Sequence, residues 1–535
     1  MPVLTAIDLA RIQQYVFSSN RLRDVLAASY AVEQALDPAK GLQAPEGAVI
    51  LAGGGNALLQ FESLGVTREW TRDFTRRLQQ IAPGIEVVIA HRPFDPGHLA
   101  QAWLSLHADL ARQKLERRPS VPQAGLSVTA TCAVTGLPAS AVDEDGQLVS
   151  SRIQLLRSRI QDSKNRWKRF LPAELENAPD WTVAFPDDLD ELGRSPGETS
   201  LIGVVHVDGN GVGELIRQWL CRRVDAPDKR VQQEAQEWSS ALRRLAEDVL
   251  SRLVGRITAC IRLERQQVSR TDGTRLVGQP EELSFPLHQI NGVREVFLPL
   301  RPIVLGGDDM TFVADGRIAL DLAVAAIREF EKNSVPHLGE NGLPVHITAC
   351  AGVALVRSHA PFYRAYEAAK ILCSSAKSAR KEARDDGGWV DWMVGTFLSA
   401  QSVKEWLAAY RASNLKLTMR PYPVTRAVNR RSWDWLELEV LGPGPLTQPE
   451  QGFRGDLAWR LSRNRVKQLG ALTREGPEAV RRQLSVWRAT QPDLKLPGGL
   501  GEDGFVGNAT PMVDAIEIMD LHLRLEPPRS EAGAR

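Results

Sequence analysis

The segment RPIVLGGDDMTFVAD sets apolar runs on either side of Gly306, Gly307, Asp308 and Asp309. Two apolar runs joined by a short glycine turn fold as a β-hairpin, and glycine lets the chain reverse closely beside a phosphate. The hairpin tip then displays two adjacent carboxylates. Upstream, VVHVDGNGVG ends a buried strand on Asp208 and opens a helix through Gly209, Asn210 and Gly211, offering a carboxylate and several backbone groups to one ligand. A β-α-β-β-α-β order makes the two elements neighbours in one sheet.

Carboxylates gathered this closely repel one another by several kcal/mol at low effective dielectric, so the cluster predicts a cation. Hard oxygen ligands select Mg²⁺ or Mn²⁺, and a pair of such ions activates an attacking ribose hydroxyl and stabilises departing pyrophosphate. Asp208, Asp308 and Asp309 are therefore the expected metal ligands and catalytic residues of an in-line nucleotidyl transfer. Gly306, Gly307, Gly209, Asn210 and Gly211 are the expected nucleotide-binding backbone. Lys377 and Lys381, one turn apart in YEAAKILCSSAKSARK, are candidates to neutralise a triphosphate, with a solvated helix face as the competing explanation. A polar hairpin turn would explain an isolated GGDD; its coincidence with Asp208 and with the strand order favours a site.

The chain reads as α+β, with two ferredoxin-like (β-α-β-β-α-β) palm domains, a loop-rich connector and a mostly helical C-terminal domain. In the first domain, 1–100, strand 3–7, helix 11–36, strand pair 48–61, helix 67–81 and strand 85–91 follow in order. The order returns in 200–387 as strand 202–207, a helix from 212, strand pair 303–313, helix 318–331, strand 345–354 and helix 365–381, with a helical insertion over 220–298. Its amphipathic helix spans 232–266 and a polar loop runs to 295. Each copy ends its first strand on an aspartate, Asp8 or Asp208, and has glycines in its central hairpin, as a degenerate internal repeat does. Between the copies, 101–199 is a connector, helical then loop-rich, with a basic helical stretch at 152–169. Residues 388–535 are rich in Arg and Trp and end in a frayed tail, PPRSEAGAR.

Length and composition exclude other classes. At 535 residues three or four domains are expected. With 66 basic and 65 acidic residues, bulk charge does not bind nucleic acid. Cys132, Cys221, Cys260, Cys350 and Cys373 never fall in a C-x-x-C spacing, which argues against a disulfide framework or a zinc ribbon and fits a reducing cytoplasm. No segment reads as a leader or membrane span, so a cytoplasmic location away from the membrane is expected. His206 and His346 lie in apolar strands and are expected to be buried, hydrogen-bonded histidines rather than bases. TMRPYP, NRRSWDW and SRNR mix arginines with aromatics, the means of stacking bases or gripping RNA, although core Trp and surface Arg produce the same composition.

RPIVLGGDDMTFVADGR and HITACAGVALVRSHAPFYRAYEAAKILCSSAK resemble the second palm of the large subunit of type III CRISPR effectors, the Cas-ten (Cmr-two) family. IQQYVFSSNRLRDVLAASYAVEQA resembles the first helix of that family's first palm. The resemblance implies conversion of nucleoside triphosphates, with ATP expected, into cyclic oligoadenylate second messengers in antiviral defence. It also implies guide or target RNA and other effector subunits as partners. The palm and its lysine are also similar to GGDEF diguanylate cyclases, so adenine or guanine preference stays open, as do stand-alone action and a homodimer. A non-catalytic nucleotide- and RNA-binding scaffold is the alternative from another class. Three departures stand out. The family's HD dipeptide is absent, so no DNase activity is expected. AGGGNALLQF places Gly55 and Asn56 where the second copy has its aspartates, so Asp8 should hold metal poorly, while Gly53, Gly54 and Gly55 fit a tight hairpin or a phosphate cradle. TCAVTGLPAS leaves Cys132 alone, and no zinc is expected.

Overall fold

The computed structural model describes residues 1–117, 126, 128–192, 200–265, 271–290, 292–395, 400–425, 431–444 and 451–526. The expected tail over 527–535 lies outside them. The architecture is mixed α+β, built on two sheets.

The first sheet comprises β1 (Val3–Ala10), β2 (Val49–Gly53), β3 (Asn56–Phe61) and β4 (Glu86–Pro93) in the order β2-β3-β1-β4, with β1 antiparallel to both neighbours. Helix α1 (Ile12–Val16) and helix α2 (Leu22–Ala35) follow β1, α3 (Leu64–Ile81) joins β3 to β4, and α4 (Leu99–Glu116) follows β4. The single helix expected over 11–36 is thus broken. Ser18 Oγ donates to the Tyr15 carbonyl and Ser19 Oγ to Asp24, while the Arg21 amide donates to Ser19 Oγ. Such local bonds compete with helix continuation.

The second sheet contains β5 (Leu201–Gly209), β6 (Leu300–Leu305), β7 (Asp309–Asp315), β8 (Ala349–Arg357), β9 (Trp389–Val394) and β10 (Tyr422–Pro423), ordered β6-β7-β5-β8-β9-β10. Helices α9 (Ala319–Lys332) and α10 (Phe362–Glu382) cover it, α8 (Asp228–Thr258) packs on α9 and β6, and α7 (Val212–Arg222) packs on α4. With both faces buried, β5 and β8 read as almost unbroken apolar runs. Alternation sorts their side chains: Val205 and Val207 join the core of α8 and α9, whereas Ile202 and Val204 join that of α10 and α2. Glycine sets how closely the helices approach. A Cβ on Gly203 would lie 2.1 Å from Ala319 Cβ of α9, and one on Gly352 would lie 2.0 Å from the Ala369 carbonyl oxygen of α10.

Three expectations about this half are corrected. The sheet does not stop near 387: WVDWMV forms β9, parallel to β8 through the α10 crossover, although 388 onward reads as helical. The helix expected over 232–266 ends at Thr258, and Ile261–Arg265 forms a three-stranded sheet with Asp272–Leu276 and Phe285–Pro286 of the expected polar loop. The strand expected over 345–354 is two strands, because Val345–His346 pairs instead with Ser334–Val335.

The two halves are packed together. Phe17 stacks on Tyr366 at 3.9 Å, Ser29 Oγ donates to the Ile303 carbonyl at 2.6 Å, and Lys370 Nζ donates to Gln13 at 2.6 Å. The connector helices α5 (Ser151–Arg157) and α6 (Ile160–Asn165) lie on α2, where Arg157 grips the buried Asp24 at 2.7 Å. Among the C-terminal Arg and Trp residues, Arg420 is buried over the rings of Trp392, Trp406 and Tyr410 and paired with Glu517 at 2.7 Å. Trp433 is fully buried against Trp392. These residues build core and are not open to RNA bases. No helix among the described residues is long and apolar enough to cross a membrane.

In α8, Glu234 is buried and accepts hydrogen bonds from Trp219 Nε1 (2.9 Å), Arg223 Nε (2.7 Å) and Arg230 Nε (2.8 Å). Burial pushes its carboxyl up, but these donors outweigh burial and hold it at about 2. Because the folded value is depressed, the stabilisation is present above the ordinary value of 4.5 and is lost as pH falls toward about 2. Glu234→Gln is expected to cost about 3 kcal/mol, the usual price of orphaning a buried charge. Melting curves at pH 7 and pH 3 check this, with the wild-type advantage shrinking at the lower pH.

Candidate nucleotide and metal site

The second sheet brings Asp208 and Asp309 face to face as register partners of β5 and β7. The Gly209 amide donates to the Asp308 carbonyl at 2.7 Å, and the Gly306 amide to the Asp309 carbonyl at 2.8 Å, which lock the hairpin tip against the end of β5. Gly306 and Gly307 are not in the left-handed region, so a positive φ is not the reason for glycine there. A Cβ on Gly306 would instead lie 1.8 Å from Asp309 Oδ1; the missing side chain makes room for the carboxylate. Gly211 does have φ +71° and caps α7. Asn210 is tied to Thr348 through its amide (2.7 Å) and its side-chain nitrogen (3.0 Å), and its side-chain oxygen has no hydrogen-bond partner among the described residues.

Lys377 of α10 reaches this strand end. Its Nζ lies 2.8 Å from Asp208 Oδ2 and donates to the Gly209 carbonyl at 2.8 Å. Lys381 is exposed one turn further along. Burial, then the charge of Asp208, raises the Asp308 carboxyl above its ordinary value. Burial, then Asp308 and Asp208, raises Asp309 to about 7. The acids thus stand in an environment that favours a cation or a proton beside them. The three carboxylates do not converge as closely as another group does. One ligand atom each from His206, Asp208 and Cys373 lies within 4.8 Å of the others.

His206 is buried and bonded to Thr311 at 3.0 Å, and burial lowers its pKa to about 4, in line with a neutral core histidine. His346 is hydrogen-bonded to the Glu331 carbonyl at 2.9 Å but is exposed, because its two-residue strand lies outside the main sheet. Tyr366 packs edge-on against His206, and burial pushes its hydroxyl up.

The first sheet repeats this geometry without the two hairpin acids. Asp8 faces Asn56 as Asp208 faces Asp309, and the Leu9 amide donates to the Gly55 carbonyl at 2.8 Å as Gly209 does to Asp308. Gly53, Gly54 and Gly55 all have positive φ, as a tight hairpin requires. Lys114 of α4 pairs with Asp8 at 2.6 Å, the counterpart of Lys377 on Asp208. The sequence reading missed Lys114, although KLER at 114–117 and KSAR at 377–380 share the Lys-x-x-Arg spacing in the helix after the fourth strand of each copy. A cavity of about 290 Å³ beside Asp8 is lined by Arg11, Glu86, Lys114 and Arg117.

Residues 201–386 match the family model described as Cas10/Cmr2, second palm domain. No match was found among curated proteins. Among solved structures, Csm1 from T. onnurineus is similar at 15% identity and a TM-score of 0.51, covering 97% of this chain and 70% of that one. A Csm1-Csm4 cassette in complex with one ATP aligns at 13% identity and a TM-score of 0.51, with 97% and 70% covered. A cassette in complex with cA3 aligns at 15% and 0.50, with 98% and 70% covered. At these identities the likeness speaks to fold, and it extends over nearly the whole chain. Residues 201–386 are a Cas10/Cmr2 second palm domain.

Proposed function

We propose that this chain is a metal-dependent nucleotidyltransferase and cyclase that joins nucleoside triphosphates, ATP foremost, into cyclic oligonucleotides with release of pyrophosphate in CRISPR-type antiviral defence. Both sheets are taken as ferredoxin-like palms, the second catalytic. The observation that carries the reading is Asp309 opposite Asp208, with Lys377 on Asp208 and on the Gly209 carbonyl.

The donors fit Mg²⁺ or Mn²⁺: Asp208, Asp308 and Asp309 offer hard oxygens, and their crowding is relieved by divalent charge. When bound, such ions neutralise triphosphate charge and make a ribose hydroxyl more acidic. The chain's own residues do the rest. Gly306 leaves space that admits the Asp309 carboxylate, Gly209 lets the hairpin tip close on the end of β5, and Gly211 leaves open space at the start of α7. Lys377 orients Asp208 and adds a positive charge at the strand end. Csm1 is found with Csm4, and with ATP or cA3, in the solved structures above, which supports an effector subunit as partner and adenine nucleotides as ligands here.

Incubation with each labelled nucleoside triphosphate and Mg²⁺ or Mn²⁺, with and without RNA, followed by mass analysis, tests the reading. Oligoadenylates that are absent from the Asp308→Ala/Asp309→Ala variant are the expected result. Tight nucleotide binding without product in every condition would make the chain a scaffold instead. Lys377→Ala is expected to lower turnover about tenfold or more, as removal of one preorganised charge does.

A further inference from the structure

Strand β5 presents His206 and Asp208 to the same face, where α10 lays Cys373 and Lys377. A ring nitrogen of His206, a carboxylate oxygen of Asp208 and Cys373 Sγ lie within 4.8 Å of one another, and this is the one such group of His, Cys, Asp or Glu among the described residues. Nδ1 of His206 is engaged by Thr311 at 3.0 Å, a contact that fixes the ring and leaves Nε2 with the lone pair when Nδ1 donates. Cys373 Sγ donates to the Cys350 carbonyl at 3.3 Å, and a metal would take the place of that proton. Asp208, with its side chain 37% exposed, is the route in from solvent.

Imidazole, thiolate and a single carboxylate are a different donor set from the all-oxygen cluster of Asp208, Asp308 and Asp309. The soft sulfur and the nitrogen select Zn²⁺ over Mg²⁺, and three protein ligands leave a fourth position for water. A tetrahedral zinc site spaces its donors roughly 3 to 4 Å apart, so small side-chain rotations close this group on an ion. We propose that His206, Asp208 and Cys373 form a Zn²⁺ site that shares Asp208 with the nucleotidyl-transfer centre, so that zinc and catalysis are mutually exclusive. On binding, Cys373 releases its thiol proton to solvent and Asp208 leaves Lys377. The binding claim stands on the three side chains alone; the inhibitory claim rests on the cyclase reading.

Co²⁺ titrated into the full chain provides a spectroscopic probe. A thiolate-to-cobalt charge-transfer band in the near ultraviolet, displaced by Zn²⁺ and lost in Cys373→Ala and in His206→Gln, is expected. Absence of the band in the wild type, or its persistence in Cys373→Ala, overturns the site. Cys373→Ser serves if the alanine variant does not fold, as judged by circular dichroism. In the turnover arm, Zn²⁺ in the presence of Mg²⁺ is expected to lower wild-type synthesis about tenfold or more and to leave Cys373→Ala unaffected, because removing Asp208 removes a main electrostatic contribution. Equal inhibition of both proteins overturns the exclusivity. If the wild type makes no product at all, the cyclase reading fails while the cobalt band still decides the metal site.

Discussion

Replacing Asp309 by Ala, alone or with Asp308→Ala, is expected to lower nucleotidyl transfer by on the order of a hundredfold or more, the scale of losing a main electrostatic contribution to a transition state. Asp309 stands opposite Asp208 at the end of the central strand pair, and Gly306 makes room for its carboxylate. The same change is expected to leave the fold intact. Burial and the neighbouring acids raise Asp309 to about 7, so its charged form is costly in the metal-free chain. A raised folded value means that stability is greatest below the ordinary value of 3.8 and is lost as pH rises through about 7. Asp309→Asn should therefore melt no lower than wild type at pH 8 without metal, while losing turnover. Loss of both would mean that the residue is structural, and unchanged synthesis would remove it from the site.

Gly352→Ala is expected to have a large effect on stability, equal to that of Glu234→Gln. Its Cβ would lie 2.0 Å from the Ala369 carbonyl oxygen and 2.3 Å from the Cys373 amide, both on the backbone of α10. Neither contact can be relieved by turning a side chain, so the helix must move off the sheet. Overpacking of a tight core costs about 3 kcal/mol at the upper end of its usual range. For a domain of this size that corresponds to a fall in melting temperature of about 10 °C. Because α10 also carries Lys377, a folded Gly352→Ala protein should lose the contacts to Asp208 and Gly209 and turn over more slowly. A variant with wild-type melting and wild-type turnover would contradict the close packing.

Much of the second palm was legible because its signals are local. Asp208 ends an apolar strand, Asp308 and Asp309 sit between two apolar runs, and alternation puts His206 and Asp208 on one face. Lys377 was legible as a candidate only, since a lysine on a helix looks alike whether it faces solvent or a carboxylate. Other features were hidden for nameable reasons. WVDWMV reads as part of an Arg- and Trp-rich region, and its parallel pairing with β8 depends on a crossover longer than any local window. The serines after Phe17 are compatible with a helix until Ser19 finds Asp24. Arg420 and its aromatic neighbours have the composition of an RNA-binding surface, yet the side chains are closed into a core by Glu517 and Asp514.

The sequence by itself determined the strand periods, the two glycine-bearing hairpins and the repeat of an aspartate at the end of each first strand, because each depends on residues a few positions apart. Only the tertiary structure decided which charge answers each aspartate: Lys377 on Asp208 and Lys114 on Asp8, at 2.8 and 2.6 Å. It alone also brought Cys373 to His206 and Asp208. Those partners are 169, 106 and about 165 positions apart in the chain. Their meeting is set by how helices pack across a sheet, at distances governed by residues such as Gly352 that carry no chemistry of their own.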